Sequence, residues 1–361
     1  MNRDKVRAMI VGGAVGDAWG MPVETWTPEK ILETHPGGLD GYKAPIGHKW
    51  FTDDPNCEDT DKTYMEPGYT TDDTQLTRAT VKGLVAGKGF DMDSIATFHV
   101  AAMRSSIAGW GKTTVEAIRR LANNVHWSES GKTNNVHRGT GNGIPMKCGP
   151  IGAFHASAKG QAMDPAEYYK MLVAYAAMTH YTIMSAQAGI LHAEAVEYCL
   201  WKTPSTFDIG DFMDLICNRV WCDSFEKYHN LFNHLNKTDD NLENEFLKLW
   251  NAFKSGDLDN WDRDKLIEEF GGGSCYVLHS LPFTYAFFYK YWKDGLKSGY
   301  ELVHAGGDTD TNAKIALEMI GALYGMELFE RPENKWTIEG LHEHDKLFTL
   351  ADQLCDTLGI A

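Results

Sequence analysis

The feature that most restricts this chain is the spacing of its apolar residues. Segment after segment repeats them every three or four positions, and few segments show the every-second-residue alternation of a strand, so the sequence predicts an all-α protein. The spacing places helices at 4–19, 73–88, 91–107, 113–124, 164–178, 180–201, 208–219, 240–255 and 280–297, with another near 224–236 and one following residue 309. In the first, Val6, Met9, Ile10, Gly13 and Ala14 share a face, and small residues there predict a neighbouring backbone packed very close. Two stretches lack any period. Residues 25–67, rich in Pro, Gly, Trp, Asp and Thr, read as a long loop, and loops of that length in folded proteins tend to carry function. Residues 125–152, rich in Gly and Asn, read as irregular. The charged, amphipathic region 204–268 reads as an ordinary helical layer, so residues 1–361 are expected to form a single domain with insertions at about 25–70 and 204–268.

Two of the helices begin in the same unusual way. His304-Ala-Gly-Gly-Asp-Thr-Asp-Thr-Asn-Ala-Lys314 sets Asp308, Asp310 and Thr311 just before a run with Ala313, Ala316, Ile320 and Leu323 on one face. Much earlier, Thr71, Asp72 and Asp73 precede a run with Leu76, Ala79 and Leu84 on one face. One reading is N-capping, since Asp and Thr accept from free backbone N–H groups. A cap needs one such residue, and each segment offers three. The other reading is a hard-cation site, because Mg²⁺ takes carboxylate, hydroxyl and water oxygens. Brought together, four carboxylates would repel one another unless a cation bound them, and the set suits two ions sharing a carboxylate.

A net charge of −16 argues against a nucleic-acid or anionic-membrane binder, though bound cations can reverse the sign within a site. No apolar run approaches a membrane span, and Met1-Asn-Arg-Asp-Lys5 lacks the apolar stretch of a signal peptide. Seven scattered cysteines without a C-x-x-C pair fit neither structural zinc nor a disulfide framework, and point to a reducing cytoplasm. Gly109-Trp-Gly-Lys-Thr113 is a near miss to a P-loop, with Ser106 where glycine is required and no preceding strand. Asp308-Thr-Asp-Thr-Asn312 fails as an EF-hand at Ala313 and Met319. His342-Glu-His344 reads as a solvated loop.

The two acidic segments, with Gly12-Gly-Ala-Val-Gly-Asp-Ala-Trp-Gly-Met-Pro-Val-Glu24, Gly141-Asn-Gly-Ile-Pro-Met146, Pro150-Ile-Gly152 and Thr179-His180, resemble in order and spacing the motifs of the ADP-ribosylglycohydrolases. The resemblance runs from residue 12 to about 325. It implies a compact multi-helix orthogonal bundle with a dinuclear metal cleft, and a hydrolase that removes ADP-ribose from an acceptor, foremost ADP-ribosyl-arginine in protein. Other acceptors in the same class are ADP-ribosyl-serine, O-acetyl-ADP-ribose or a modified nucleic acid. A non-catalytic ADP-ribose binder and a metal-dependent phosphohydrolase are the readings from other classes.

The resemblance further implies two Mg²⁺ (or Mn²⁺), one held by Thr71, Asp72, Asp73 and Asp310, the other by Asp308, Asp310 and Thr311, with Asp310 bridging. Glu24, Asp73 and Asp310 are the implied catalytic carboxylates, and Glu24 the acid/base or metal-gating group. Asp17 is expected to accept backbone hydrogen bonds beside the site. Gly141, Asn142, Gly143, Met146, His180 and Gly307 are implied to bind substrate, although Gly141–Gly143 also suits a plain tight turn, and a helix-terminal histidine without ligand contact is the commoner case for His180. The family carries Met-Arg where this chain has Met146-Lys147, which puts in doubt any planar, two-pronged contact there. The implied partner is an ADP-ribosylated protein or small molecule met by a monomer, without stable nucleic-acid or membrane binding.

Overall fold

Helix α1, Arg3–Gly20, is the central strut of the molecule. Asn2 opens it by accepting from the Lys5 N–H, and its residues from Val6 to Gly20 are almost all buried. Its partner is α13, Thr309–Tyr324, which runs antiparallel to it. A Cβ added at Gly12, Gly16 or Gly20 would collide with the backbone at Leu317, Ala313 or Thr309 respectively, and one at Gly321 with that of Ala8. Glycine at every fourth position therefore lets two backbones touch along the whole contact, as the small residues of the first helix predicted. The antiparallel pairing has a consequence for the site. It lays the C-terminal end of α1 on the N-terminal end of α13, where the Thr309 hydroxyl donates to the Gly20 carbonyl at 2.8 Å.

A computed structural model describes residues 1–45, 66–106, 109–135 and 137–361. Around the strut lie α2 (Pro28–Thr34), α3 (Asp72–Ala86), α4 (Met92–Ser105), α5 (Lys112–Ala122), α6 (Pro145–Ala156), α7 (Pro165–Thr179) and α8 (Ile183–Trp201). After these come α9 (Leu242–Ser255), α10 (Arg263–Phe270), α11 (Val277–Tyr291), α12 (Lys297–His304) and, beyond α13, α14 (His344–Leu358). Among the described residues the only extended pairings are isolated bridges, Gly141 with Tyr276 and Thr182 with Asn236. The all-α expectation holds. No helix among the described residues is long and apolar enough to cross a membrane.

The departures from the sequence reading have local causes. The loop expected over 25–67 contains α2, capped by Thr27; it buries only Ile31, too little to show a period. Residues 46–65 of that loop lie outside the described residues. The irregular stretch 125–152 ends inside α6, hidden by Pro150 and two glycines. Those glycines are needed because Gly149 abuts the Glu318 carboxylate and Gly152 the Ala193 backbone. The expected helix 208–219 starts as Ile209–Asp214 and then widens into π-helical turns at Leu215–Arg219 and Trp221–Glu226. His342-Glu-His344 is not merely a solvated loop. Glu343 pairs with Arg78 of α3 at 2.7 Å, the His342 ring stacks on Tyr69, and His344 opens α14.

Candidate metal centre

Three chain segments converge where α1 ends: the turn after α1, the start of α3 and the start of α13. Asp17, fully buried on α1, fixes the second of them. Its carboxylate accepts from the Thr71 N–H at 2.9 Å and the Thr74 N–H at 3.0 Å, and from the hydroxyls of both residues. Asp17 thus caps α3 from a different helix, which frees Asp72 and Asp73 from that task. The third segment is shaped by glycine: Gly306 and Gly307 adopt φ of +75° and +79°, and Asp308 N–H donates to the Gly273 carbonyl at 2.9 Å.

The result is a ring of hard oxygens. Thr311 Oγ1 donates to Asp73 Oδ2 at 3.1 Å, and Thr71 Oγ1 lies 3.3 Å from Asp73 Oδ2 and 3.4 Å from Asp310 Oδ2. Carboxylate oxygens of Glu24, Asp308 and Asp310 lie within 4.8 Å of one another. All six residues nominated as metal ligands are buried, and Glu24 is half-buried. Just beyond Glu24, Thr25 sits at φ +66°, a left-handed conformation costly for a β-branched residue. It is held there by the Thr25 N–H to the Gly307 carbonyl, 2.7 Å, and the Gly307 N–H to the Trp26 carbonyl, 3.0 Å.

Electrostatics show what this ring lacks. Burial, followed by repulsion from neighbouring carboxylates, pushes Glu24, Asp72, Asp73 and Asp310 well above the ordinary carboxylate range. Burial raises Asp308 and Asp17 too, against the hydrogen bonds they accept. Asp73 Oδ1 is buried with no hydrogen-bond donor. Closely spaced, desolvated carboxylates with a vacant lone pair and only oxygen donors around them match the coordination taste of Mg²⁺ or Mn²⁺ and not that of a soft metal.

The ring forms the floor of a cleft of about 320 Å³, lined by Glu24, Asp72, Asp73, Asp308, Asp310 and Thr311 together with Gly141, Asn142, Gly143, Met146 and His180. Two nominated residues depart from the roles expected of them. Gly307 does not line this cleft; it packs on the Gly272 and Gly273 carbonyls and serves the turn into Asp308. Asn142 spends its side-chain amide on Asp308 Oδ2 at 2.5 Å and Ser280 Oγ at 2.9 Å, so it holds a carboxylate as well as facing the cleft. Lys147 turns inward, away from the lining. The sequence reading missed one wall. Gly109, Gly111, Lys112, Thr113 and Thr114, set aside as a failed P-loop, line the cleft at the start of α5, and Gly111 N–H points at Asp72 Oδ2, 3.4 Å away. A glycine-rich turn entering a helix was the available signal; the strand that a P-loop needs is absent because α4 precedes it.

A family model for ADP-ribosylglycohydrolase matches residues 1–359. The chain is 27% identical to an uncharacterized protein of Archaeoglobus fulgidus, covering 97% of this chain and 96% of the other. It is 23% identical to the ADP-ribosyl-[dinitrogen reductase] glycohydrolase of Rhodospirillum rubrum, covering 90% and 87%. It is 26% identical to the mouse ADP-ribosylhydrolase ARH3, covering 77% and 75%. Among solved structures, an ADP-ribosylglycohydrolase-related protein complex superposes with a TM-score of 0.66 at 19% identity, covering 99% and 98%.

Proposed function

We propose, on the premise that this chain belongs to the ADP-ribosylglycohydrolase family, that it removes ADP-ribose from arginine side chains of modified proteins in a reaction that depends on divalent cations. Hydrolysis of an ADP-ribosyl linkage follows from the family itself. The cation dependence and the arginine acceptor are our reading, and the oxygen ring carries it. Thr71, Asp72, Asp73 and Asp310 would hold one cation and Asp308, Asp310 and Thr311 a second. Such ions supply Lewis acidity and a bound water of lowered pKa when present.

The chain's own groups account for the rest. Cleavage at the anomeric carbon builds positive charge on the ribose. Glu24, at the rim of the ring, would move a proton to or from the leaving group. Asn142 keeps Asp308 in orientation through its 2.5 Å hydrogen bond. The first-turn N–H groups of α5, with Lys112, Thr113 and Thr114 on the wall, present positive charge to the diphosphate. Among the described residues lining the cleft, Glu24, which neither ion takes in this assignment, is the one carboxyl left to receive a cationic guanidinium leaving group.

The test is release of ADP-ribose by protein stripped with EDTA, with and without added Mg²⁺, from arginine-modified protein, serine-modified protein and O-acetyl-ADP-ribose. Mg²⁺-dependent release from the arginine substrate is expected. Release from another acceptor alone would replace the substrate and leave the chemistry, and release of phosphate in place of ADP-ribose would overturn both.

A further inference from the structure

Beneath the cleft wall lies a buried lysine with no acid beside it. Lys147 is completely buried and makes no ion pair among the described residues, though the Asp72 charge attracts it from beyond that distance. Its ammonium rests 5.3 Å over the Tyr175 ring and has one hydrogen bond, to Thr179 Oγ1 at 3.1 Å. The same Thr179 oxygen lies 3.0 Å from His180 Nδ1. Thr179 and Lys147 are fully buried and His180 is nearly so, so the three groups settle their protons among themselves.

The donors and acceptors can be counted. Burial, against the attraction of Asp72, lowers the Lys147 pKa to about 7, so at pH 6 it is an ammonium that only donates, and Thr179 Oγ1 accepts from it. The threonine has one proton left to give. Among the described residues the other polar atom within reach is His180 Nδ1, and were that nitrogen protonated the threonine proton would be buried without an acceptor. The proton therefore goes to Nδ1, and the imidazole carries its own on Nε2. Among the described residues that nitrogen has no hydrogen-bond partner; it faces the cleft over Gly141 and Gly143, where a side chain at 143 would strike the His180 ring. Burial, and then the nearby Lys147 charge, lower the His180 pKa to about 3, in keeping with a neutral ring.

We propose that Lys147 is a positioning residue of the hydrolase: through Thr179 Oγ1 it fixes His180 in the Nε2–H tautomer, so that the cleft wall offers a hydrogen-bond donor to an oxygen of the ADP-ribosyl group. The donation to substrate rests on the function proposed above; the tautomer does not. An arginine here would also only donate, so the pair Lys147–Thr179 retains the hydrogen-bond logic while dispensing with the planar fork.

Imidazole ¹⁵N NMR at pH 6 on the metal-free, ligand-free full chain reads the tautomer directly, with the His180 signals identified among the 14 histidines by their loss in His180→Gln. Wild type should show a protonated Nε2 and a bare Nδ1. Lys147→Met and Thr179→Val should both convert this to a mixture of tautomers, whereas Thr179→Ser should preserve it. ADP-ribose affinity should fall in the first two in proportion to the Nε2–H fraction lost, about twofold for an even mixture, and hold in the third. Should Lys147→Met fail to fold, the Val and Ser pair decides alone. A wild-type ring protonated on Nδ1, or an unchanged tautomer in both Lys147→Met and Thr179→Val, would overturn the proposal. A shifted tautomer in a protein that releases no ADP-ribose would uphold the tautomer and defeat the hydrolase reading instead.

Discussion

Asp310 shows how far single residues decide this site. Its carboxylate faces Thr71 at 3.4 Å and is pushed up by burial and then by Glu24, Asp308 and Asp73. Removing one negative charge from such a ring relieves repulsion in the absence of cations while deleting what the proposed function makes a shared ligand. Asp310→Asn should therefore act in opposite directions on stability and activity, as destabilising functional residues commonly do. We expect the metal-free variant to melt a few degrees above metal-free wild type, the Mg²⁺-induced stabilisation to vanish, and kcat to fall at least ~100-fold. Calorimetry with and without Mg²⁺, beside the release assay, checks all three; an Asp310→Asn enzyme of near-wild-type activity would refute the bridging role. At this scale the sequence was most informative. Clustered acids ahead of apolar runs disclosed Thr71, Asp72, Asp73, Asp308, Asp310 and Thr311. The contribution of Asn142 to Asp308, and of Lys147 to His180, lay beyond it, because hydrogen bonds between residues far apart in sequence leave no local pattern.

Between residues and molecule, the helices do the positioning. Asp17 ends the exposure of two N–H groups at the start of α3 with one carboxylate, and an asparagine there has a single oxygen to offer. Asp17→Asn should cost about 1–3 kcal/mol, read by urea unfolding, since it leaves buried donors unpaired. Gly16 makes the complementary point about α1 and α13. A Cβ there would enter the Ala313 backbone, so Gly16→Ala must push apart the helix ends that carry the ring. It should destabilise by about 1–3 kcal/mol and lower activity more than stability alone explains. Gly37→Ala, with nothing within 4 Å of the new methyl, is the neutral control. If Gly16→Ala matches Gly37→Ala in both stability and rate, the close contact does not govern the site. The long periodic helices were legible from spacing alone. Helix α6 was not, because its glycines and Pro150 serve neighbouring elements, and a sequence read locally sees them as breakers. The same blindness hid the cleft wall at Gly109–Thr114.

At the scale of the whole molecule, the charge burden of the site becomes a property of the fold. Six buried or half-buried carboxylates, Asp17, Glu24, Asp72, Asp73, Asp308 and Asp310, have pKa values raised above their ordinary range. In the unfolded chain the same groups titrate near 4. Between that value and the raised ones the native state binds more protons than the unfolded state, so metal-free stability falls as pH rises through this interval. Divalent cations compete for the same oxygens and bind the deprotonated form, so their hold strengthens over the same interval. The gap between melting temperatures with and without saturating Mg²⁺ should accordingly be wider at pH 8 than at pH 5.5. At a hundredfold excess over Kd a bound ion adds about 2.7 kcal/mol, which for a chain of this size is a rise of roughly 3–4 °C. Scanning calorimetry across pH, with Ca²⁺ and Mn²⁺ beside Mg²⁺, measures it. A gap that narrows with rising pH would mean that the ions act elsewhere than on this ring. Equal melting temperatures with and without every cation would mean that hydrogen bonds among protonated acids, and not ions, hold the carboxylates together, and the cation dependence of the reaction would go with them.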